Sequence, residues 1–383
     1  MMKILVFLMA GVFYWLDLST GLPGELQAQT VNTVGKIMPA DAAPLSNQVY
    51  RHMYPEPRTL DVSANIYEAS GSLTLFDPLL KQNTNHELIP AAAEMWEVSE
   101  DGRIWTFHLR DGGRWSDGRP VTAYDFEYTI RRLLDPITAN PYAFFYYDIA
   151  GASGYNRGVA AAADLGVRAL DALTLEITTE EPRAYFPYIM AFHGASPAPQ
   201  WAISKHGPKW TDPGNFVSNG SYALQAWRAG DRITMALDPL YNGPNKGYVE
   251  EIRWIFSPTM GSVGILPYEN GEVDRVAPVD VVDMVHVSQD PELSEQLVQV
   301  ADGTTWYLFF KTDRAPFDDV RVRRAIAHAI DRETITRVVL RGAGVPAYTM
   351  LPPGFPGYLA EKYRSYQQYS PESARLLLAS AGY

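Results

Sequence analysis

The sequence contains no cysteine. Disulfides, thiolate metal sites and cysteine nucleophiles are thereby excluded, and so is a lipid anchor attached through a cysteine. Long apolar runs are lacking as well. The run from Ile4 to Trp15 follows Lys3 and falls short of the roughly 20 residues that a bilayer-spanning helix requires. With small Ala28 in Leu26-Gln27-Ala28 preceding a suitable cut, residues 1–28 read as a cleavable secretory signal peptide, with an N-terminal membrane anchor as the alternative. Basic residues are in deficit, 32 Lys and Arg against 44 Asp and Glu, for a net charge of −12. A nucleic-acid partner needs clustered Lys and Arg to neutralise phosphates, so this class is disfavoured. Enzyme signatures are missing too: there is no GxSxG, Walker loop, GxGxxG or HExxH. The seven His, at 52, 86, 108, 193, 206, 286 and 328, are scattered, and no two lie three or four apart to grip a metal from one helix face. An exported chain without a lipid or a second apolar span is expected in the periplasm as a monomer.

What is present is a globular composition, 46% hydrophobic and 20% charged, with an aromatic content of 12% that includes 23 Tyr and 9 Trp. That length and apolar content suffice for two or three lobes. The clearest β region runs from Trp96 to Trp115. Within it, Ile104 to Arg110 alternates, with Trp105, Phe107 and Leu109 on one face. Asp101-Gly102, Asp111-Gly112 and Asp117-Gly118 supply turns that need positive φ. His108 on this strand reads as a surface or hydrogen-bonded histidine. A helix is predicted from Thr122, capped by that residue with Asp125 three positions on, and carrying Phe126, Ile130, Leu133 and Leu134 as its apolar stripe. Asp135-Pro136 ends it.

Further strands are predicted at 174–178, at 220–224 paired with 232–237 across Ala229-Gly230-Asp231, and at 251–256. Trp306 to Phe310 reads as a dense buried strand. Asp319 is placed to cap a helix bearing Val322, Ala325, Ile326, Ala329 and Ile330. Asp331 caps a second that ends near Gly342. Ser370-Pro371-Glu372 starts a third, lined by Leu377, Leu378 and Ala381. Strands and helices intermingle without a steady βαβ rhythm, so the class is α/β in the sense of mixed α+β.

Three consecutive stretches, Trp105-Thr106-Phe107-His108-Leu109-Arg110, Arg114-Trp115-Ser116-Asp117-Gly118 and Pro120 to Phe126, strongly resemble the signature region of bacterial extracellular solute-binding proteins of the peptide-binding family. Glu56-Pro57-Arg58-Thr59-Leu60-Asp61, Ser218-Asn219-Gly220-Ser221-Tyr222, and Pro316 to Ala325 followed by Ala329-Ile330-Asp331-Arg332 match the same family in order and spacing. Lys209 to Asn215 resembles the oligopeptide-binding branch. Two departures stand out: Leu60-Asp61-Val62 replaces the family's usual Leu-Asp-Pro, and Phe310-Lys311-Thr312 lacks the Asn common there. In the family the segment resembling Leu376 to Tyr383 precedes a long further stretch, which carries the acidic partner of the peptide's amino terminus. A C-terminally truncated sequence that binds peptide poorly is therefore expected.

The resemblance implies a periplasmic-binding-protein-like fold of type II, a two-lobed clamshell with an extra domain. The expected division is 1–28 signal peptide, 29–76 with 200–302 as lobe I, 77–199 as the extra domain, and 303–383 as the incomplete start of lobe III. The implied function is the substrate-binding component of an ABC importer. It would capture oligopeptides in an interlobe cleft and hand them to an inner-membrane permease, with no catalysis, cofactor or metal. The alternative is the same fold binding a non-peptide solute: an oligosaccharide, a nickel complex, haem or an antibiotic. By position in the family pattern, the expected ligand contacts are Tyr67, Glu68, Ala69 and Ser70 as a main-chain pairing edge, Asn219 and Gly220 at the ligand backbone, and Trp306, Tyr307, Tyr142 and His193 near the cleft. Each has a plainer reading: loop, turn residue or core aromatic.

Overall fold

The structure is a computed structural model that describes residues 30–64, 72–257, 264–298, 303–355 and 357–383. The expected signal peptide and the segment Tyr67 to Ser70 lie outside the described residues. The chain divides into two compact units. Unit 1 is residues 1–50 with 56–256, and unit 2 is residues 51–55 with 257–383. Residues 257–302, expected with the first lobe, group here with unit 2.

Ten strands occur among the described residues: β1 (Val49–Tyr54), β2 (Leu80–Gln82), β3 (Leu88–Pro90), β4 (Ala93–Val98), β5 (Ile104–Leu109), β6 (Val167–Ala169), β7 (Thr174–Thr178), β8 (Tyr222–Arg228), β9 (Arg232–Leu237) and β10 (Glu251–Phe256). In unit 1, β8 and β10 flank β9 in antiparallel register, with Trp254 opposite Ile233 and Tyr222 opposite Leu237. On the far side of β10, Glu251 donates to the carbonyl of Gln48, 3.1 Å away, just before β1. A second sheet has the order β4-β5-β7-β6 with every pair antiparallel, and β2 and β3 form a separate hairpin.

The alternation read in β5 is observed. Trp105, Phe107 and Leu109 are buried while Ile104 is exposed, because successive side chains of a strand point to opposite faces. Complete burial of Phe107 stabilises unit 1 by about 1.5–3 kcal/mol. The glycines of the three Asp-Gly turns, 102, 112 and 118, have φ of 72°, 74° and 87°, which a Cβ would oppose. His108 bonds Glu97 at 3.4 Å across the strand pair.

Helix α1 (Ala123–Leu134) starts at the predicted capping box. The Asp125 carboxylate accepts from the Thr122 main-chain N–H at 2.8 Å and lies 3.0 Å from its hydroxyl. Phe126, Ile130, Leu133 and Leu134 are buried on its inner face. They join a core of unit 1 that includes Trp115, Tyr146, Phe186 and Trp210. A short helix, α2 (Gln200–His206), leads into the stretch that carries Trp210.

In unit 2, α3 (Val320–Ala329) is capped by Asp319, whose carboxylate accepts from Arg321 N–H at 2.7 Å. The cap of α4 (Pro371–Ser380) is Ser370. Asp331 caps a short turn at 332–334 that continues as a π-helical turn, Ile335–Val339, and Gly342 follows with φ 85°. Residues 51–55 join this unit by pairing: Ser257 N–H donates to Tyr54 C=O at 3.1 Å, and Arg51 bridges Asp274 at 2.7 Å.

One expectation is corrected. Trp306 to Phe310 is neither strand nor buried. Trp306 is 91% exposed and Phe309 85%. A buried strand needs hydrogen-bonding neighbours and a layer to cover it, and no described strand pairs with this segment.

Candidate functional site

Unit 1 contains a cavity of about 1090 Å³, just above the ~300–1,000 Å³ usual for small-ligand sites. Its wall is built from four places in the sequence: residues 56–64, Arg132 in the last turn of α1, residues 203–213, and the β8–β9 hairpin around Trp227 and Ala229. Glu56 is the first residue of unit 1 after the chain returns from its excursion into unit 2. The cavity therefore sits beside one of the covalent connections between the units.

Asp61 organises the floor. It is 6% exposed as a residue, and its two oxygens accept from Arg132 at 2.8 and 2.5 Å. Oδ2 also accepts from the indole N–H of buried Trp210 at 3.0 Å, and Oδ1 from the main-chain N–H of Ser63 at 3.0 Å. The last bond closes an Asx turn, so the Asp itself holds the turn in which Val62 stands where the resembled family has Pro. Burial lowers the pKa of the Arg132 guanidinium, but the hydrogen bonds and charge of Asp61 outweigh this and hold it above its ordinary value. Fixed charge, indole and turn are thus set in one network.

The rim is organised by Glu56. One oxygen accepts from Trp227 Nε1 at 2.9 Å and the other from Gly230 N–H at 3.0 Å, which ties residues 56–59 to the hairpin tip. Thr59 and Thr211 hydroxyls meet at 3.3 Å. Asp212, exposed, completes the acidic side.

Of the residues expected from sequence to touch ligand, those among the described residues (Asn219, Gly220, Tyr142, His193, Trp306 and Tyr307) do not line this cavity. Asn219 is fully buried, and its side-chain amide pairs with both main-chain groups of Asp77, at 3.0 Å each. Gly220 donates to Leu75 C=O at 2.8 Å, and a Cβ there would lie 2.5 Å from the Leu75 carbonyl carbon. These two residues act together as a seam between 218–220 and 75–77. Tyr142 and His193 also come together, through Phe192. The Tyr142 ring lies 6.4 Å from Phe192, which lies 4.2 Å from His193, and Tyr142 stacks on Phe145 at 5.5 Å. Trp306 and Tyr307 lie in unit 2, 91% and 62% exposed.

The cavity residues went unassigned in the sequence reading, although Glu56 to Asp61 and Lys209 to Asn215 stood out as motif runs. Among the described residues no group of three or more His, Asp or Glu is placed to hold a metal, and no helix there is long and apolar enough to cross a membrane.

Residues 87–383 match the family described as bacterial extracellular solute-binding proteins, family 5, middle region. The chain belongs to this family. It is 37% identical to the periplasmic oligopeptide-binding protein OppA of Salmonella typhimurium over 82% of this chain and 59% of that protein. It is 34% identical to the probable deoxycholate-binding periplasmic protein YgiS of Escherichia coli over 90% of this chain and 65% of that protein. Among solved structures, the murein tripeptide-binding protein MppA of Escherichia coli superposes with a TM-score of 0.75 at 32% identity, covering 88% of this chain and 67% of that one. Haemophilus influenzae OppA in complex with RPPGFSPFR gives a TM-score of 0.71 at 29% identity, covering 88% and 67%. These neighbours fix the mixed α/β fold as that of periplasmic peptide-binding proteins. The chain spans about three fifths of the length of the curated relatives it matches.

Proposed function

We propose that this chain is the substrate-binding component of an ABC importer, capturing oligopeptides in the periplasm and delivering them to a membrane permease. The observation that carries the reading is the unit 1 cavity beside residue 64, where the family pattern places the peptide-pairing edge in the residues that follow. An extended peptide added along such an edge draws affinity from main-chain hydrogen bonds and is blind to most of its sequence. Roomy side-chain space filled with bridging water then tolerates varied residues. Tyr67 to Ser70 remain the proposed pairing edge. Trp306 and Tyr307, exposed in unit 2, and Tyr142 and His193, half-buried in unit 1, remain proposed ligand contacts by position in the family pattern. Asn219 and Gly220 support the site indirectly, through the seam with 75–77.

The test is ligand-observed saturation-transfer NMR on the 383-residue chain with a pool of peptides of two to five residues, a method suited to weak binding. Transfer to the peptides is expected, and its absence across the whole pool would overturn the reading. The relative named for deoxycholate favours a second reading, a non-peptide solute in the same fold. Deoxycholate in a parallel sample separates the two, since transfer to it alone would replace the peptide by a rigid apolar acid.

A further inference from the structure

We infer that Asn270-Gly271 is a site of spontaneous covalent modification, at which the folded chain cyclises to a succinimide and reopens as aspartate or isoaspartate, with water as the only co-reactant. The inference stands apart from the peptide reading.

The chain holds three Asn-Gly pairs, at 219–220, 242–243 and 270–271. In such a pair the main-chain nitrogen of Gly attacks the side-chain carbonyl carbon of Asn, and no side chain on the glycine hinders the approach. A C–N bond forms, the bond to Nδ2 breaks, and the glycine amide proton leaves with Nδ2 as ammonia. Water then opens either carbonyl of the five-membered imide. The step needs a free Asn side chain and a main chain that can turn its nitrogen onto it.

Folding withholds both at two of the pairs. Asn219 is fully buried, its amide pairs with both main-chain groups of Asp77, and the Gly220 N–H is engaged by Leu75 C=O. Asn242 is held at both ends: Nδ2 donates to Gly112 C=O at 2.8 Å, and Oδ1 accepts from Arg110 at 2.5 Å. Gly243 beside it is buried, and a Cβ there would strike the Tyr241 hydroxyl. Asn270 differs. It and Gly271 are both exposed, and a Cβ on Gly271 would meet nothing within 4 Å. Asn270 Nδ2 reaches the Glu272 carboxylate at 3.3 Å, longer than an ordinary hydrogen bond. The Gly271 N–H donates to Tyr268 C=O at 2.9 Å, but this bond only ends the four-residue helical turn Leu266–Glu269. So short a helix opens at little cost. The same turn is tied to β1, where Arg51 Nη1 donates to Gly271 C=O at 2.6 Å and Arg51 also bridges Asp274. Isoaspartate routes the main chain through one extra methylene just before Gly271, and so draws that carbonyl away from Arg51.

The test incubates the 383-residue chain at mildly alkaline pH, folded and in urea, and maps tryptic peptides by mass. The three pairs fall in separate peptides, 210–228, 233–246 and 254–275. In the folded chain Asn270 is expected to convert about tenfold or more faster than Asn219 and Asn242, because a local opening exposes it while theirs breaks tertiary contacts. Its product should appear as two peaks of equal mass, aspartate and isoaspartate. In urea the three rates should converge. Equal rates in the folded chain, or no conversion at Asn270, overturn the site, and a single product peak overturns the succinimide route. N270Q, whose side chain would have to close a six-membered ring, should keep its melting temperature through the incubation while that of the parent chain falls. Matching melting curves for the two incubated proteins overturn the link to Arg51.

Discussion

The carboxylate of Asp61 is gripped by both terminal nitrogens of Arg132, at 2.8 and 2.5 Å, across 71 positions of sequence. This pair joins the segment after the first strand to the last turn of α1, both within unit 1. Both side chains are mostly buried, at 8% and 18% exposure. Breaking a buried pair from one side leaves a charge without compensation.

R132M is therefore expected to destabilise unit 1 by about 3–5 kcal/mol, measured by urea unfolding. D61N/R132M should cost less than R132M alone, because the uncompensated charge is gone and Asn still offers Trp210 an acceptor. The opposite ordering would show that packing of the guanidinium, rather than charge, dominates.

Gly220 should resist any side chain. G220A places a Cβ 2.5 Å from main-chain carbon of Leu75, where nothing flexible can yield. A loss of about 1–3 kcal/mol from overpacking is expected. G230A, at φ 71° with open space around it, should lose about 1–2 kcal/mol from backbone strain alone. Thermal unfolding of G220A checks the contact, and an unchanged melting temperature would mean that the close approach to Leu75 yields at no cost.

His52, in the short segment that belongs to unit 2, has its pKa lowered to about 4 by burial and then by Arg275. The unfolded chain thus takes up a proton at a pH where the folded unit does not. Stability contributed by the neutral imidazole is complete above about pH 6.5, and it falls as pH drops from there toward about 4. H52N should flatten the part of the stability-versus-pH curve between those values relative to the parent chain. An identical slope in both proteins would show that carboxylates alone produce it.

The exposed run at 306–309 has a direct optical test. Iodide should quench a component of tryptophan emission that W306F removes, because Trp306 is 91% exposed. W210F should leave that component in place, since Trp210 is 1% exposed and enclosed by the core. Quenching unaffected by W306F would place this residue against other side chains.

Much of the local structure was legible in the sequence because its causes are local. The period-2 alternation of β5 determined which face of that strand is buried. Thr122 and Asp125 determined where α1 starts, since the box they form lies within four residues. Asp101-Gly102 and Asp117-Gly118 required positive φ, and only glycine takes it at little cost. Motif runs at 56–61 and 209–215 marked their importance without revealing their use.

What the tertiary structure decided is what distant residues do to one another. Apolar content suggested a buried strand at 306–310, yet burial depends on a neighbour that the run itself cannot specify. Asn219 read as a ligand contact or a turn residue, and its amide instead closes on Asp77, 142 positions away. The cavity exists because Asp61, Arg132 and Trp210 meet in one hydrogen-bond network, and because Glu56 meets Trp227 at the rim. No periodicity or spacing encodes such meetings. The sequence determined the elements and the family by itself, through short-range preferences. The cavity was decided by the folded chain, which alone sets which distant side chains meet.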